Sequence, residues 1–213
     1  MKKIIITIDG PAASGKGKIA KYISRKWKFK HLDSGILYRR VALFFLKNKV
    51  NYKSDTSIKN ALKEIGYLSF QNSRLLRYEN VSKLASKIAV FKIVRIYINE
   101  IQRKFVKNDK KNSGFVIDGR DIGSVVFKKA HLKLYIDVNE KNRAKRRHKQ
   151  LIDIGEKSIY PKILKEIKLR DKKDKNRNNS PLVIPRGAHI INNNGKFYKT
   201  LREVNSLIRN ISV

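Results

Sequence analysis

Residues 3–16 of the chain read KIIITIDGPAASGK, a β-branched apolar run that passes directly into a glycine-rich loop. Such a run is typical of a central parallel strand that is buried on both faces. Beyond the loop, Ile19, Ala20, Ile23 and Trp27 recur at the spacing of an amphipathic helix. The loop is therefore predicted to join a strand to a helix, with its backbone N–H groups and the positive end of that helix directed at an anion.

The spacing of Gly10, Gly15 and Lys16 matches the P-loop pattern, which cradles nucleotide phosphates. The next residue is Gly17, where the pattern usually has a Ser or Thr that ligates Mg²⁺. We therefore expect Mg²⁺ to be held through water, with Asp33, Asp118 and Asp9 as candidates to orient that water; for Asp9, a role in forming the turn is an equal alternative. The predicted nucleotide-phosphate site comprises Gly10, Pro11, Ala12, Ala13, Ser14, Gly15, Lys16, Gly17 and Lys18.

The length of 213 residues suits one well-buried core with a smaller inserted lobe. The absence of cysteine excludes disulfides, thiolate nucleophiles and cysteine-ligated metals, and the four histidines lack the spacing of a zinc site. The first residues already read as a strand, and the longest apolar run, Val41–Leu46, is too short to span a bilayer. A cytoplasmic protein without a membrane partner is expected.

The chain carries 51 Lys and Arg against 17 Asp and Glu, a net charge of +34. This charge attracts nucleotides and nucleic acids alike. The lysines are spread along the whole chain, which favours a solvated surface over a dedicated nucleic-acid arm. No aromatic platform interleaves the basic residues, so nucleic acid is not an expected partner, although an RNA-binding protein with a vestigial P-loop remains the alternative from another class.

The rest of the sequence alternates short strands and helices. A strand at His31–Leu32 precedes a helix at Leu37–Leu46, and two further strands, 115–117 and 132–136, each end at an aspartate. A final strand at 189–191 and a closing helix complete the pattern. The prediction is an α/β fold with an open parallel sheet of about five strands flanked by helices, whose carboxyl edge binds the ligand.

Two segments interrupt this alternation. Residues 51–79 lack a strong period and 84–105 form a long helical stripe, so 51–109 is predicted to be an inserted lobe. Residues 139–178 are predicted to form a mobile lid of two helices joined by a hinge at 153–157, with Ser158 capping the second helix. The organisation expected is one domain, 1–213, built around the P-loop, with its core at 1–50, 110–137 and 180–213.

If a bound nucleotide phosphate is transferred to an acceptor, positive charge is also required around that acceptor. Acidic and basic residues follow the second and third predicted strands, and others share one face of a late helix. Together they predict an anionic acceptor. The groups are Asp33-Ser34-Gly35 with Tyr38-Arg39, Asp118-Gly119-Arg120-Asp121, and Arg170, Asp174 and Arg177.

Over nearly its whole length the chain resembles the bacterial cytidylate kinases. Besides the groups above, the matching motifs are Ala85-Ser86-Lys87-Ile88-Ala89 with Arg95, Val125-Val126-Phe127, Arg143-Ala144-Lys145-Arg146-Arg147, and Asn176-Arg177 with Pro181-Leu182. The resemblance implies a P-loop NTPase fold and a monomer. It also implies transfer of the γ-phosphate of ATP to CMP or dCMP, giving ADP and CDP or dCDP, with Mg²⁺ as cofactor.

The resemblance also implies a role for each matching residue. The CMP phosphate or the transferring phosphoryl group would be held by Ser34, Arg39, Arg120 and Arg177. The cytosine would be read by Ser86, Arg95 and Asp121, and the pentose contacted by Arg170 and Asp174, with Asp174 against Ser86. Arg143 and Arg147 would belong to the lid that closes over ATP, and the P-loop with Lys16 would bind ATP.

The chain departs from the family pattern in three respects. Lys18 replaces a Ser or Thr, Lys92 replaces a proline, and the insertion before Ser86 is short, which puts its small sheet in doubt. Ser86 and Arg95 are nine residues apart and would face opposite sides of one straight helix, so we predict a break near Val90–Ile93. A kinase for another acceptor, such as UMP, AMP or shikimate, remains an alternative, which Ser86, Arg95 and Asp121 argue against.

Overall fold

A computed structural model describes residues 3–66, 68–70 and 73–211, and its centre is a five-stranded sheet. The strand order is β2-β3-β1-β4-β5, and β1 runs parallel to both β3 and β4 while β4 runs parallel to β5. Ile6 lies opposite Val116 on one side and Leu132 on the other, so β1 is the central strand that its apolar sequence predicts. The strands are β1 Ile4–Asp9, β2 Lys30–Asp33, β3 Gly114–Gly119, β4 Leu132–Asp137 and β5 His189–Asn192.

Helices cover this sheet because the central strand is apolar on both faces. Ile6 and Ile8 are fully buried in a core that also takes Ile19 from α1 and Val204 and Ile208 from α8. The observed strand–loop–helix unit and parallel sheet confirm the predicted P-loop NTPase α/β fold. The helices are α1 Lys16–Trp27, α2 Ser34–Lys47, α3 Asp55–Glu64, α4 Glu79–Ile88, α5 Lys92–Lys107, α6 Glu140–Asp153, α7 Tyr160–Asn176 and α8 Phe197–Arg209.

The chain divides into two compact units. The larger comprises Met1–His31 with Lys110–Val213, and the smaller comprises Leu32–Asp109. In the smaller unit α2 packs against α4, and α3 packs against α5. Its described residues beyond β2 form helices and turns and no strand. The finer division into a core, an insertion and a lid stays a prediction.

Residues 51–79 contain a helix, α3, that the sequence pattern does not predict. The side chain of Ser54 caps it by accepting a hydrogen bond from the N–H of Ser57 at 3.3 Å, and Ile58, Ala61 and Leu62 are buried. With only ten residues, α3 is too short to show a strong period. The signal that was available is the serine cap four residues before the first buried apolar side chain.

The predicted break between Ser86 and Arg95 is confirmed. Helix α4 ends at Ile88 and α5 begins at Lys92, with an extended Phe91 as its N-cap. Lys92 is therefore the first residue of a helix, where the backbone N–H has no partner in the helix and proline is favoured. Lysine and proline are therefore both compatible with this position.

The predicted capping of α7 by Ser158 is wrong. The helix begins one residue later, after an Ile159 that makes no side-chain cap, and Pro161 lies in its first turn as the sequence indicates. The hydroxyl of Ser158 instead lies 2.8 Å from Nδ1 of His148 on α6. The Ser158 side chain therefore contacts α6 and does not cap α7.

Across residues 3–66, 68–70 and 73–211, none of the helices has the length and apolar character needed to cross a membrane.

Candidate active site

The loop between β1 and α1 has the backbone of a phosphate cradle. Gly10 has φ of 145°, and a Cβ there would lie 2.5 Å from the carbonyl oxygen of Ile136. Gly15, with φ of 96°, is the N-cap of α1, and the first turn of α1 has no acidic residue. The positive end of α1 is therefore presented to an anion without internal neutralisation.

Lys16 is folded over this loop. It is the first residue of α1 and only 6% exposed. Its Nζ donates to the carbonyl oxygens of Gly10 at 2.8 Å and Pro11 at 2.7 Å, and to Oγ of Ser14 at 3.4 Å. The ammonium is thus already stripped of most of its water and lies inside the cradle. Lys18, two residues on, is exposed.

Side chains from distant segments hold the same loop from outside. Nη1 of Arg143 donates to the carbonyl of Ala12 at 3.3 Å, and Nη1 of Arg146 donates to that of Ser14 at 3.2 Å. Nδ2 of Asn193 also donates to the Ser14 carbonyl, at 2.8 Å. Sequence reasoning gave Arg146 no role and missed Asn193. Asn193 could have been found from its position directly after β5, because ligands bind at the carboxyl edge of such a sheet.

Arg143, a predicted lid residue, is buried and bonded to α7. Its Nη1 and Nη2 donate to the two carboxylate oxygens of Asp171 at 3.0 and 2.5 Å, and its Nε donates to the carbonyl of Val138 at 2.9 Å. A bidentate pair of this kind fixes the plane of the guanidinium as well as its position. Asp171 therefore links α6 to α7, a role that the sequence did not indicate. The other predicted lid arginine, Arg147, is half-buried on α6.

Three predicted arginines surround the buried carboxylate of Asp174. Oδ2 of Asp174 is 3.0 Å from Nε of Arg120 and 4.0 Å from Nε of Arg170, and its Oδ1 is 3.7 Å from Nη1 of Arg177. Burial alone would raise the pKa of Asp174, but the three guanidinium groups outweigh it, so that the pKa is lowered. Asp174 is therefore ionised at neutral pH and holds the arginines together.

Asp121 belongs to the same group of side chains. It is 4% exposed, and its Oδ1 lies 3.9 Å from Nη2 of Arg177. Arg177 also makes a local hydrogen bond, in which its Nε donates to the carbonyl of Ser180 at 2.5 Å. The structure thus brings five predicted residues together with three positive and two negative charges. We call them the arginine cluster: Arg120, Asp121, Arg170, Asp174 and Arg177.

In the smaller unit, Arg95 is the most enclosed of the predicted residues. It is 3% exposed, its Nη1 donates to the carbonyl of Ala89 at 3.0 Å, and its guanidinium lies 5.6 Å from the centre of the Tyr38 ring. The break after α4 supplies the Ala89 carbonyl, which a continuous helix would use internally. Ser86 is half-buried on α4, and its expected contact with Asp174, which lies in the other unit, stays a prediction.

The other predicted phosphate ligands of this unit lie on α2. Ser34 is buried as the first residue of the helix, and Arg39 is half-buried further along it. Asp33 is the N-cap, and its Oδ1 accepts from the N–H of Gly35 at 2.9 Å. The predicted ligand Ser34 is therefore at the N-terminal end of α2.

The sequence left two roles open for Asp9, forming the turn or orienting water on Mg²⁺. Its main contacts in the structure are with a different segment. It is fully buried, and its two carboxylate oxygens accept from the N–H groups of Ile122 at 2.8 Å and Gly123 at 2.7 Å. These residues begin a π-helical turn, Ile122–Val126, after β3. Burial raises the pKa of Asp9 to about 6, a rise that the two N–H groups partly oppose. Asp9 therefore fastens the segment that follows the predicted Asp121.

We expect this buried carboxyl to make stability depend on pH. Because the pKa of Asp9 is higher in the folded state than the ordinary 3.8, the folded protein binds its proton more tightly, and the stabilisation is lost as the pH rises through about 6. Relative to Asp9→Asn, the free energy of unfolding of the wild type should fall by about 2 kcal/mol between pH 4 and pH 7. Urea unfolding followed by the fluorescence of Trp27 measures this, and parallel pH profiles for the two proteins would contradict it.

The donors available for Mg²⁺ suit an ion that arrives with the nucleotide. Oδ1 of Asp118 is bonded to Nε2 of His31 at 2.7 Å, and Asp33 caps α2. Within the part of the chain that the structure describes, no three His, Asp or Glu side chains gather into a metal-binding group. Mg²⁺ commonly binds through phosphates, water and one or two carboxylates, so these residues fit an ion held mainly by phosphate and water.

Comparison with known proteins agrees with this architecture. A crystal structure of a Thermus thermophilus protein superimposes with a TM-score of 0.55 at 14% identity, covering 99% of this chain and 98% of that one, which shows the shared fold. The cytidylate kinase of Bartonella bacilliformis is 40% identical over 90% of this chain and 87% of its own length. That of Fusobacterium nucleatum is 36% identical over 85% and 86%. The sequence model of the family described as cytidylate kinase matches residues 6–211, and the chain therefore belongs to the cytidylate kinase family.

Proposed function

We propose that the protein transfers the γ-phosphate of ATP to CMP or dCMP and releases ADP with CDP or dCDP. The observation that carries this proposal is the arginine cluster, in which three guanidinium groups converge on the buried Asp174. A phosphate-binding loop alone fits many enzymes, whereas this cluster supplies the positive charge that an anionic acceptor needs. Membership of the cytidylate kinase family supports the same reaction.

On the donor side, the P-loop from Gly10 to Lys18 binds the phosphates of ATP. The loop N–H groups and the start of α1 take the non-bridging oxygens, and the Lys16 ammonium neutralises the outer phosphates. Arg143 and Arg147 on α6 provide positive charge from the lid. Mg²⁺ bound with ATP neutralises phosphate charge, with Asp33 and Asp118 as the carboxylates that orient its water.

Residues of the arginine cluster are proposed to bind the acceptor. In the larger unit, Arg120 and Arg177 hold the CMP phosphate or the phosphoryl group in transfer, while Arg170 and Asp174 contact the pentose. Asp121 accepts from the N4 amino group of cytosine, which a carboxylate matches as an acceptor. This contact discriminates against uracil, which has a carbonyl oxygen in place of that amino group.

The smaller unit supplies the remaining contacts. Ser34 and Arg39 on α2 bind the CMP phosphate, and Ser86 with Arg95 reads the base. Arg95 donates to the O2 and N3 acceptors of cytosine, and its ring contact with Tyr38 keeps the guanidinium in place. These two residues are available together because the break after α4 reorients α5.

The reaction requires no general base, since the acceptor phosphate is itself the nucleophile. Catalysis then consists of holding donor and acceptor in line and neutralising the charge that spreads over the transferring group. Lys16, Arg120, Arg143, Arg147 and Arg177 are the residues proposed for that neutralisation. Lid closure excludes water, which would otherwise compete with CMP for the phosphoryl group.

Arg95→Ala is expected to raise the KM for CMP at least tenfold and leave the KM for ATP within twofold. A hydrogen bond from a charged group contributes about 1.5–3 kcal/mol, which corresponds to a factor of roughly 10–150. Initial rates in a coupled ADP assay, with each substrate varied in turn, measure this. Lys104→Ala, which removes an exposed cation from the same helix, is the matched control. Equal changes in the KM for CMP and the KM for ATP would contradict the proposal that Arg95 contacts the cytosine.

Acceptor specificity tests the proposed function as a whole. Turnover of CMP and dCMP should exceed that of UMP and AMP at equal concentrations, measured with ATP and Mg²⁺. Equal or faster use of UMP or AMP would overturn the assignment of the acceptor. We further infer that the enzyme acts as a monomer in the cytoplasm, where ATP and CMP are found, and light scattering on the purified protein tests the monomer.

A further inference from the structure

Asn193 lies directly after β5 and is 1% exposed, so its side chain has to find all its hydrogen-bond partners within the protein. Its backbone N–H donates to the carbonyl of Asp137 at 2.9 Å, which continues the pairing of β5 with β4. Its side-chain Nδ2 donates to the carbonyl of Ser14 at 2.8 Å. A residue fixed by the sheet thus reaches across to the P-loop.

A third segment contacts the other end of the Asn193 amide. The hydroxyl of Thr200 on α8 donates to Oδ1 of Asn193 at 3.0 Å, and Thr200 is 2% exposed. A carbonyl oxygen cannot donate, so the atom that faces Ser14 has to be the NH₂ group. The Ser14 carbonyl thus selects the orientation of the amide, and the Thr200 hydroxyl pairs with the amide oxygen in that orientation.

Arg146 completes the arrangement from α6. One guanidinium nitrogen donates to the Ser14 carbonyl at 3.2 Å and the other to the carbonyl of Asn193 at 2.7 Å. The carbonyl of Ser14 therefore accepts two hydrogen bonds from outside the loop. A Cβ on Gly15 would lie 2.6 Å from Nδ2 of Asn193, so this approach also depends on a glycine there.

The consequence for the nucleotide follows from peptide geometry. The peptide bond between Ser14 and Gly15 is trans, and in a trans peptide the N–H points opposite to the C=O. With the Ser14 carbonyl held toward Asn193 and Arg146, the N–H of Gly15 is held in the opposite direction. That N–H stands at the N-cap of α1, where the dipole of the helix favours an anion.

We propose that Asn193 is a positioning residue of the nucleotide site, which with Arg146 and Thr200 holds the Ser14–Gly15 peptide so that the Gly15 N–H donates to a phosphate of the bound nucleotide. The inference rests on the proposed function insofar as that nucleotide is ATP. Asn193 touches neither reactant in this role. It removes the need for the loop to reorient when phosphate binds.

The test is direct binding of ADP and of a non-hydrolysable ATP analogue, each with Mg²⁺, by titration calorimetry. Asn193→Asp keeps the shape of the side chain but cannot donate to the Ser14 carbonyl, and it should weaken both affinities about tenfold, as expected for one buried donor lost. The matched control is Asn192→Asp, which places the same charge on the adjacent, exposed residue and should change the affinities less than twofold.

A second variant separates the lost donor from the added charge. Thr200→Val adds no charge and removes the hydroxyl that pairs with the amide oxygen, and it should weaken nucleotide binding about threefold, whereas Thr200→Ser should retain wild-type affinity. In steady-state assays the KM for ATP should rise in Asn193→Asp and Thr200→Val while the KM for CMP stays within twofold. If Asn193→Asp fails to fold, the two Thr200 variants decide the question.

Two results would overturn the inference. One is unchanged nucleotide affinity in Asn193→Asp or, where that variant does not fold, in Thr200→Val. The other is a loss of thermal stability with equal rises in the KM for ATP and for CMP, which indicates a purely structural role. Failure of the proposed function is a separate outcome, because a wild-type protein that binds the ATP analogue but does not phosphorylate CMP still allows the Asn193 comparison to be made.

Discussion

Lys16→Ala is expected to lower the rate of phosphoryl transfer to CMP by at least about a thousandfold, because it removes a charged group that stabilises a phosphoryl transition state. The ammonium of Lys16 is 6% exposed, and the three oxygens to which it donates in the loop are neutral. Much of its water has already been removed, so its charge acts strongly on a phosphate that enters the cradle. Alanine leaves the loop backbone in place but removes that charge from the donor phosphates.

The measurement is the rate of ADP formation with saturating ATP, Mg²⁺ and CMP. Lys21→Ala removes an exposed lysine from the same helix and should retain wild-type activity, which controls for a general loss of positive charge. Far-UV circular dichroism should be the same for both variants. If the Lys16→Ala enzyme retains more than a tenth of the wild-type rate, the proposed catalytic role of Lys16 is wrong.

Asp174→Asn is expected to lower kcat/KM for CMP about a hundredfold and to destabilise the fold by about 3 kcal/mol. Asp174 is the anion on which Arg120, Arg170 and Arg177 converge, and removing one partner from a buried group of charges leaves the others uncompensated. Asparagine keeps the shape of the side chain, so any loss of activity or stability in Asp174→Asn results from the missing negative charge. The arginines then repel one another and leave the positions that we propose for contact with CMP.

The pH dependence of stability provides a further check on Asp174. Burial acts to raise its pKa, but the arginines lower it overall, so its stabilising effect is present above the ordinary carboxyl pKa of 3.8 and is lost as the pH falls through the lowered value. The difference in unfolding free energy between wild type and Asp174→Asn should therefore shrink in strong acid. Asp153→Asn, at the exposed end of α6, is the control and should change neither activity nor stability. An Asp174→Asn enzyme with wild-type kcat/KM for CMP would refute the role of the cluster.

Features written in local sequence could be predicted, because they depend on neighbours along the chain. The P-loop, the strands that lead to Asp118 and Asp137 and the helical face of Arg170, Asp174 and Arg177 are of this kind. The break between α4 and α5 was also predictable, since two residues proposed for one ligand could not face the same side of a straight helix. The short helix α3 was missed because its few apolar positions do not establish a period.

Contacts between distant segments could not be predicted. Asn193 and Ser14 are 179 positions apart, and no local pattern marks the asparagine as a support for the loop. Asp171 could be placed next to Arg170 on a helix, but its bidentate pair with Arg143 depends on how α6 packs against α7. For Asp9 the sequence offered a turn or a metal site, and the fold uses its carboxylate for the segment after β3 instead. Each of these depends on packing of the completed fold.

The bonds from α6 to the P-loop have a mechanical consequence. Arg143 and Arg146, near the start of the helix, tie its base to the carbonyls of Ala12 and Ser14. If residues 139–178 move as the predicted lid, we expect the smallest displacement at these hydrogen bonds and the largest at residues 151–159. The hydrogen bonds of Arg143 and Arg146 would then connect the P-loop to the part of the predicted lid that moves least.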